Sequence, residues 1–153
     1  MYTREEAAAI KETFWKTFGQ YMSSVPSAEG QKINWINYKT GIKYLNFKTD
    51  ADSKHARIAI ELSHPDQGMR ALMFEQFTQL KKLLESALEE RWNWEEDVLN
   101  DYDKTVSRIG YELEGVNMFR KEEWSRLISF FKPRLIALDA FWADAQYGFE
   151  LFK

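Results

Sequence analysis

The segment NWINYKTGIKYLNFK (residues 34–48) decides the predicted fold, because it sets which residues of the predicted sheet face solvent. A strand with one buried face alternates apolar and polar residues, but here apolar and aromatic residues occupy both phases. The tripeptide Lys39-Thr40-Gly41 suits a three-residue hairpin loop with Gly41 in the left-handed conformation. We therefore predict two strands that flank this loop.

The hairpin register assigns each side chain to a face of the sheet. The predicted core side holds Ile33, Trp35, Leu45 and Phe47. The predicted outer side holds Asn34, Ile36, Tyr38, Ile42, Tyr44, Asn46 and Lys48. Because the outer side carries amphipathic rings, amides and a cation, it is unlike an ordinary solvated face.

The remaining elements follow from caps and periodicity. A capping box at Thr3–Glu6 starts a helix that runs to about residue 22, and a polar loop follows it. Residues 55–64 alternate as a third strand, a long helix ends near Glu90, and two more strands follow. A last helix keeps its apolar phase through Pro133, where we expect a kink. The predicted order is α-β-β-β-α-β-β-α: a single α+β domain over residues 1–153, with a mainly antiparallel sheet packed against long helices.

Composition narrows the functional classes. The chain has 153 residues and 16% aromatic residues, enough for one well-packed core. It has no cysteine, which excludes disulfides, a thiol nucleophile and a cysteine-based zinc site. We find no targeting segment and no apolar stretch of membrane-spanning length, so we expect a cytoplasmic protein without a membrane partner.

Charge is unevenly distributed along the chain. Residues 31–57 hold six Lys and Arg against two Asp, whereas residues 85–103 hold eight acidic residues against one Arg. Such an asymmetry steers an anionic partner to one end of the molecule or lets two copies meet head to tail. An uneven but functionless solvated surface has the same pattern.

The predicted outer face is the first candidate site. It combines two phenols with cations from three strands, and the predicted ligand-binding residues are Tyr38, Tyr44, Lys48, Arg57 and Arg108. Aromatic rings interleaved with cations on a sheet are typical of surfaces that bind single-stranded nucleic acid or a nucleotide. The alternative is that a helix or a partner covers this face, while Arg and Glu pair across strands.

Magnesium-dependent phosphodiester cleavage is a further hypothesis. Restriction-type nucleases place an Asp on their second strand and Glu-x-Lys on their third. The only candidates for such carboxylates are Asp50, Asp52 and Glu61. Ser63 stands where the lysine belongs, so an active site would have to be rebuilt or lost.

No cofactor or metal site is predicted. His55 and His64 lie at opposite ends of one short strand and cannot converge on one ion without other ligands. The chain contains no nucleophile-elbow, phosphate-loop or dinucleotide-binding motif.

Four segments resemble a bacterial domain family of unknown function: PSAEGQKINWINYKTGIKYLNFKTDAD (26–52), IAIEL (58–62), RWNW (91–94) and FFKPRLIALDAFW (130–142). The family is about the size of this chain, and its members occur alone or behind restriction-endonuclease-like segments. The resemblance implies a nucleic-acid context by association and assigns no catalytic residue.

We therefore expect an uncharacterised accessory module that binds nucleic acid or a nucleotide through its sheet face, rather than an enzyme. A homo-oligomeric interaction domain is the alternative, and a divergent magnesium-dependent nuclease is the third hypothesis. The sequence leaves the substrate, the partner, the oligomeric state and the number of covered sheet faces open.

Overall fold

The computed structural model describes residues 2–153. Its helices and strands, in chain order, are α1 (Arg4–Met22), β1 (Leu45–Ala51), β2 (His55–Leu62), α2 (Gln67–Gln79), α3 (Lys81–Leu88), β3 (Asn93–Leu99), β4 (Thr105–Glu114) and α4 (Trp124–Ala145). Two 3₁₀ segments, Lys121–Glu123 and Gln146–Phe152, flank α4. No helix within residues 2–153 is both long and apolar enough to cross a bilayer.

The capping box that starts α1 is confirmed. The backbone N–H of Glu6 donates to the Thr3 hydroxyl at 3.1 Å, and the Thr3 N–H donates to the Glu6 carboxylate at 3.1 Å. These two bonds satisfy two of the donors that the first turn of a helix leaves unpaired. Further along α1, Phe14, Phe18 and Met22 are fully buried.

The four strands form one antiparallel sheet in the order β1-β2-β4-β3. One cross-strand row consists of Phe47, Ile60, Ile109 and Trp94, and it faces the core. The next row faces the other way and consists of Asn46, Glu61, Arg108 and Glu95. The predicted alternation of isoleucines with Arg57 and Glu61 in β2 is therefore confirmed.

The helices all pack on the same face of the sheet. Helix α4 occupies the middle of this layer, because Phe131 packs against Phe14 of α1 and Trp142 stacks on Phe77 of α2. The guanidinium of Arg134 pairs with Glu90 just after α3, at 2.8 Å. Pro133 lies inside a single continuous α4, as one of the two predicted arrangements required.

The outer face of the sheet is the opposite, polar side. It carries exposed side chains from every strand: Lys48, Asp50, Asn93, Glu95 and Glu112. Near its centre Gly110 lies opposite Ala59, and a β-carbon added at Gly110 would sit 3.2 Å from the Ala59 methyl group. The longer charged side chains around this flat centre provide the polarity.

The two edges of the sheet differ. β3 is the edge on one side, and its pairing with β4 is interrupted by a bulge between Glu95 and Val98. Asp97, inside the bulge, has φ +54°, and its carboxylate accepts two hydrogen bonds from the buried Arg70 guanidinium. β1, the other edge strand, is regular over all seven residues.

The predicted α+β class, with an antiparallel sheet packed against helices, is confirmed, but the element order is α-β-β-α-α-β-β-α. The predicted long middle helix is interrupted at Leu80, where ψ is +10°. The predicted 34–48 hairpin is wrong in its first strand: residues 32–44 form no strand, and only Leu45–Ala51 pairs with β2.

Interactions with the helix layer explain why the first hairpin strand is missing. Gly41 has the left-handed φ that was predicted, +83°, but Tyr44 also has a positive φ of +68° and turns the chain away from the sheet. Trp35 is buried as predicted, at 3% exposure, although it reaches the core from an irregular loop. Tertiary contacts thus override the local pattern, as is common for β-prone segments.

Asp52 closes the β1–β2 turn. Its carboxylate accepts hydrogen bonds from the N–H groups of Lys54 and His55, each at 2.8 Å. Burial acts to raise the pKa of Asp52, but these two N–H groups and the nearby His55 imidazole outweigh burial and hold the pKa below its ordinary value.

We predict that Asp52→Ala lowers the free energy of unfolding by about 1 kcal/mol, because two turn N–H groups lose their acceptor. A depressed pKa contributes stability that is present above the unfolded pKa, about 3.9, and is lost as the pH falls through the folded value. The stability advantage of the wild type over Asp52→Asn, in urea unfolding, should therefore shrink between about pH 5 and pH 2. An advantage that stays constant over this range would contradict the assignment.

Candidate functional site

The connection between α1 and β1, residues 23–44, contains no helix or strand. We call it the connecting loop. Irregular connections of this length inside a domain are usually binding loops or linkers. This one packs against α1 and α4, so the question is what holds it in place and what surface it presents.

The centre of its attachment is Asp139, a carboxylate on α4 that is only 5% exposed. One of its oxygens accepts the Tyr38 hydroxyl at 2.5 Å, and the other accepts the backbone N–H of Ala28 at 2.7 Å. Two separate points of the connecting loop are therefore bound to one side chain of the helix. A buried carboxylate needs such partners, because an isolated one is costly to remove from water.

The same contact perturbs the phenol. Burial, followed by the hydrogen bond and the negative charge of Asp139, raises the pKa of Tyr38 far above its ordinary value. Tyr38 consequently remains a protonated donor at all ordinary pH values. Its ring stacks on Phe47 of β1 with centroids 4.9 Å apart, so it also ties the loop to the edge of the sheet.

Two indoles complete the attachment. Trp142 of α4 donates its ring N–H to the carbonyl of Thr40 at 2.8 Å, and Trp35 donates to the carbonyl of Val25 at 2.9 Å. The buried Thr40 hydroxyl in turn donates to the Leu45 carbonyl at 2.8 Å. These bonds satisfy backbone groups that an irregular buried segment would otherwise leave unpaired.

A cleft of about 980 Å³ lies between the connecting loop and the last turns of α4. We call it the α4 cleft. Five amide side chains line it: Gln31, Asn34, Asn37, Asn46 and Gln146. Asp139 and Trp142 lie at its base, and the exposed charges at its rim are Lys39, Lys43 and Glu29.

The five predicted ligand-binding residues do not form one surface. Lys48, Arg57 and Arg108 lie on the outer face of the sheet, on three adjacent strands, as predicted. Two of them are already paired: Arg57 donates to Glu112 at 3.1 Å and Arg108 donates to Glu95 at 3.2 Å. This cross-strand pairing was the alternative given for that face.

The two tyrosines are elsewhere, which corrects the predicted register. Tyr38 is half-buried in the helix layer, on the opposite side of the sheet from Arg57. Tyr44 precedes β1 and packs against His64, with ring centroids 4.8 Å apart, and Lys43 lies 5.1 Å from the centre of its ring. Neither phenol belongs to the outer face.

The three candidate carboxylates of the nuclease hypothesis are also separated. Asp50 lies opposite Arg57, while Glu61 lies opposite Asn46, four residues further along the sheet and thus about 13 Å away. Asp52 is occupied at the turn. Within residues 2–153, no three acidic or histidine side chains are grouped so that they could hold a metal ion. His55 and His64 remain at opposite ends of β2, as predicted.

The sequence prediction missed Asp139 and the α4 cleft. A signal was present, because Asp139 interrupts the apolar stripe of α4 between Leu135 and Trp142. An acid at a core-facing helix position requires a buried donor nearby. The sequence does not say which donor, since Tyr38 lies 101 residues away.

Comparisons with known proteins agree with the predicted resemblance. No curated protein and no solved structure matches the chain. The family model of DUF4268, described as a domain of unknown function, matches residues 10–146. This confirms the resemblance to a family of unknown function and includes the connecting loop and nearly all of α4. The chain belongs to the DUF4268 family.

Proposed function

We propose that the domain is a binding module that takes a phosphate-bearing ligand, a nucleotide or a single-stranded nucleic acid, into the α4 cleft. The observation that supports this most is the rigid attachment of a long irregular loop around Asp139, which leaves a large polar cleft beside it. Preformed clefts of this size are the usual sites of small polar ligands.

Preorganisation is the first supporting argument. The connecting loop is held at Ala28, Tyr38 and Thr40 by hydrogen bonds to α4. A ligand that enters the cleft therefore does not have to order the loop, and more of its contact energy appears as affinity.

Charge is the second argument. Residues 27–48, which form most of the wall, contain Lys32, Lys39, Lys43 and Lys48 against the single acid Glu29. The carboxylate of Asp139 contributes little outward negative charge, because both of its oxygens accept hydrogen bonds. A net positive wall attracts phosphates and raises their local concentration.

The amides supply the third argument. Asn and Gln offer both donors and acceptors, which suit base edges and sugar hydroxyls. The Asn34 carbonyl oxygen already accepts the N–H groups of Ile36 and Asn37, at 3.1 and 3.0 Å. Its two amide hydrogens are therefore the groups it can offer to a ligand.

The outer face of the sheet is the other place where a nucleic acid could bind. A phosphate there would compete with Glu112 for Arg57 and with Glu95 for Arg108. Asp50 and Glu61 add further negative charge to the same face. Electrostatics therefore favours the α4 cleft, and the experiments below separate the two sites.

We predict that Lys39→Ala/Lys43→Ala weakens the binding of a fluorescent single-stranded oligonucleotide and of a nucleoside triphosphate at low salt. Each lysine that contacts a phosphate releases a counterion, so the slope of log affinity against log salt should fall by about 1–2 in magnitude for the oligonucleotide. Fluorescence anisotropy over a salt series measures the slope, and calorimetry measures the triphosphate.

The matched control is Lys82→Ala/Lys121→Ala, which removes the same charge from exposed positions outside the cleft. It should change the slope little. Arg57→Gln/Arg108→Gln tests the outer face and should also leave binding largely intact. Absence of binding to both ligands at low salt would refute the proposal, and a loss confined to the arginine pair would move the site to the sheet.

We further predict that Tyr38→Phe lowers the free energy of unfolding by about 1–3 kcal/mol, because one oxygen of the buried Asp139 loses its donor. The loss should be constant between about pH 5 and 9, since a raised phenol pKa leaves the hydroxyl protonated throughout. Urea unfolding measures the loss, and amide exchange should quicken within residues 23–44. Tyr102→Phe is the control, because Tyr102 is 83% exposed, and it should have no effect.

A further inference from the structure

The free edge of β1 has a defined hydrogen-bonding phase. The bonds from Ser63 N–H to the Tyr44 carbonyl and from Asp52 N–H to the His55 carbonyl mark the residues that exchange bonds with β2. In an antiparallel ladder these alternate. Asn46, Lys48 and Asp50 therefore point their backbone groups at β2, and the residues between them point theirs away from the sheet.

Those outward residues are Phe47, Thr49 and Ala51. Within the described chain no strand pairs with this edge. The corresponding groups of Leu45 are used internally, since its N–H donates to Ile42 and its carbonyl accepts the Thr40 hydroxyl. A short regular ladder of unpaired donors and acceptors thus remains over residues 47–51.

Space is available along this ladder. A groove of about 280 Å³ follows the edge, with Trp15, Ile36 and Tyr38 on the helix side and residues 46–49 on the strand side. Open edges of this kind pair readily with a further strand. The groove gives the side chains of such a strand an apolar surface to contact.

We propose that this edge pairs with β1 of a second copy of the chain, antiparallel and with the two-fold axis at Thr49. In this register Thr49 lies opposite Thr49 of the second copy, and Phe47 lies opposite Ala51 of the second copy. Both pairs use the outward backbone groups, so the hydrogen-bonding phase is satisfied.

Charge selects this register from the alternatives. It places Lys48 opposite Asp50 of the second copy, and by symmetry this ion pair occurs twice. An axis at Lys48 would bring two lysines face to face, which is destabilising. An axis at Phe47 would place Lys48 opposite an amide and would use the Leu45 carbonyl that Thr40 already occupies.

The pair would form one eight-stranded sheet with all helices on one side. The interface is a single strand and its groove, so association should be weak and concentration-dependent. It does not involve the α4 cleft, so ligand binding and self-association can be measured independently.

The test is sedimentation equilibrium from about 10 µM to about 1 mM protein. The wild type should show a monomer–dimer equilibrium. Lys48→Asp and Asp50→Lys should each weaken association by about tenfold or more, because each places like charges opposite each other at two symmetric positions. The double exchange Lys48→Asp/Asp50→Lys should restore it.

The double exchange also controls for folding. Asp50→Lys faces Arg57 of its own chain, and this intrachain defect is the same in the single variant and the double exchange. Lys121→Asp, with the same charge change as Lys48→Asp at an exposed position far from β1, should not alter association. A wild type that is monomeric at all concentrations, or a double exchange as weak as the single variants, would overturn the proposal.

Discussion

The structure depends on one constraint: only one face of the sheet is apolar. The row of Phe47, Ile60, Ile109 and Trp94 has to be covered, whereas the neighbouring row of amides and charges has to remain in water. All helices therefore share one side. Helix α4 takes the centre, and the space beside it above β1 falls to α1 and the connecting loop.

This constraint explains why an irregular loop carries so many aromatic residues. Trp35 and Tyr38 fill part of a layer that a helix would otherwise occupy, and their polar atoms bond to Val25 and Asp139. Because a loop leaves more backbone groups unpaired than a helix does, Asp139, Thr40 and Trp142 supply the partners. The polar α4 cleft is the outer surface of this same arrangement.

Much of the architecture could be predicted because it depends on local signals. The Thr3–Glu6 cap, the alternation in β2 and the periodicity of α4 each specify one element without reference to the rest of the chain. The 34–48 hairpin failed because its signal was ambiguous. Apolar residues on both phases fit a two-sided strand as well as a loop whose aromatics contact a distant helix.

The candidate site was harder to predict for the same reason. Lys48, Arg57 and Arg108 were placed correctly, because strand alternation fixes their side of the sheet. Tyr38 was misplaced because its position depends on a carboxylate 101 residues further along the chain. A single sequence records that Asp139 interrupts an apolar stripe, but it does not record its donor.

The bulge in β3 has a consequence for the size of any assembly. Asp97 twists that edge out of register and turns its carboxylate to Arg70, so the far side of the sheet offers no regular ladder to another strand. The molecule thus has one adhesive border and one blunted border. Joining two adhesive borders leaves only blunted ones outside, so growth into a filament ends at the pair.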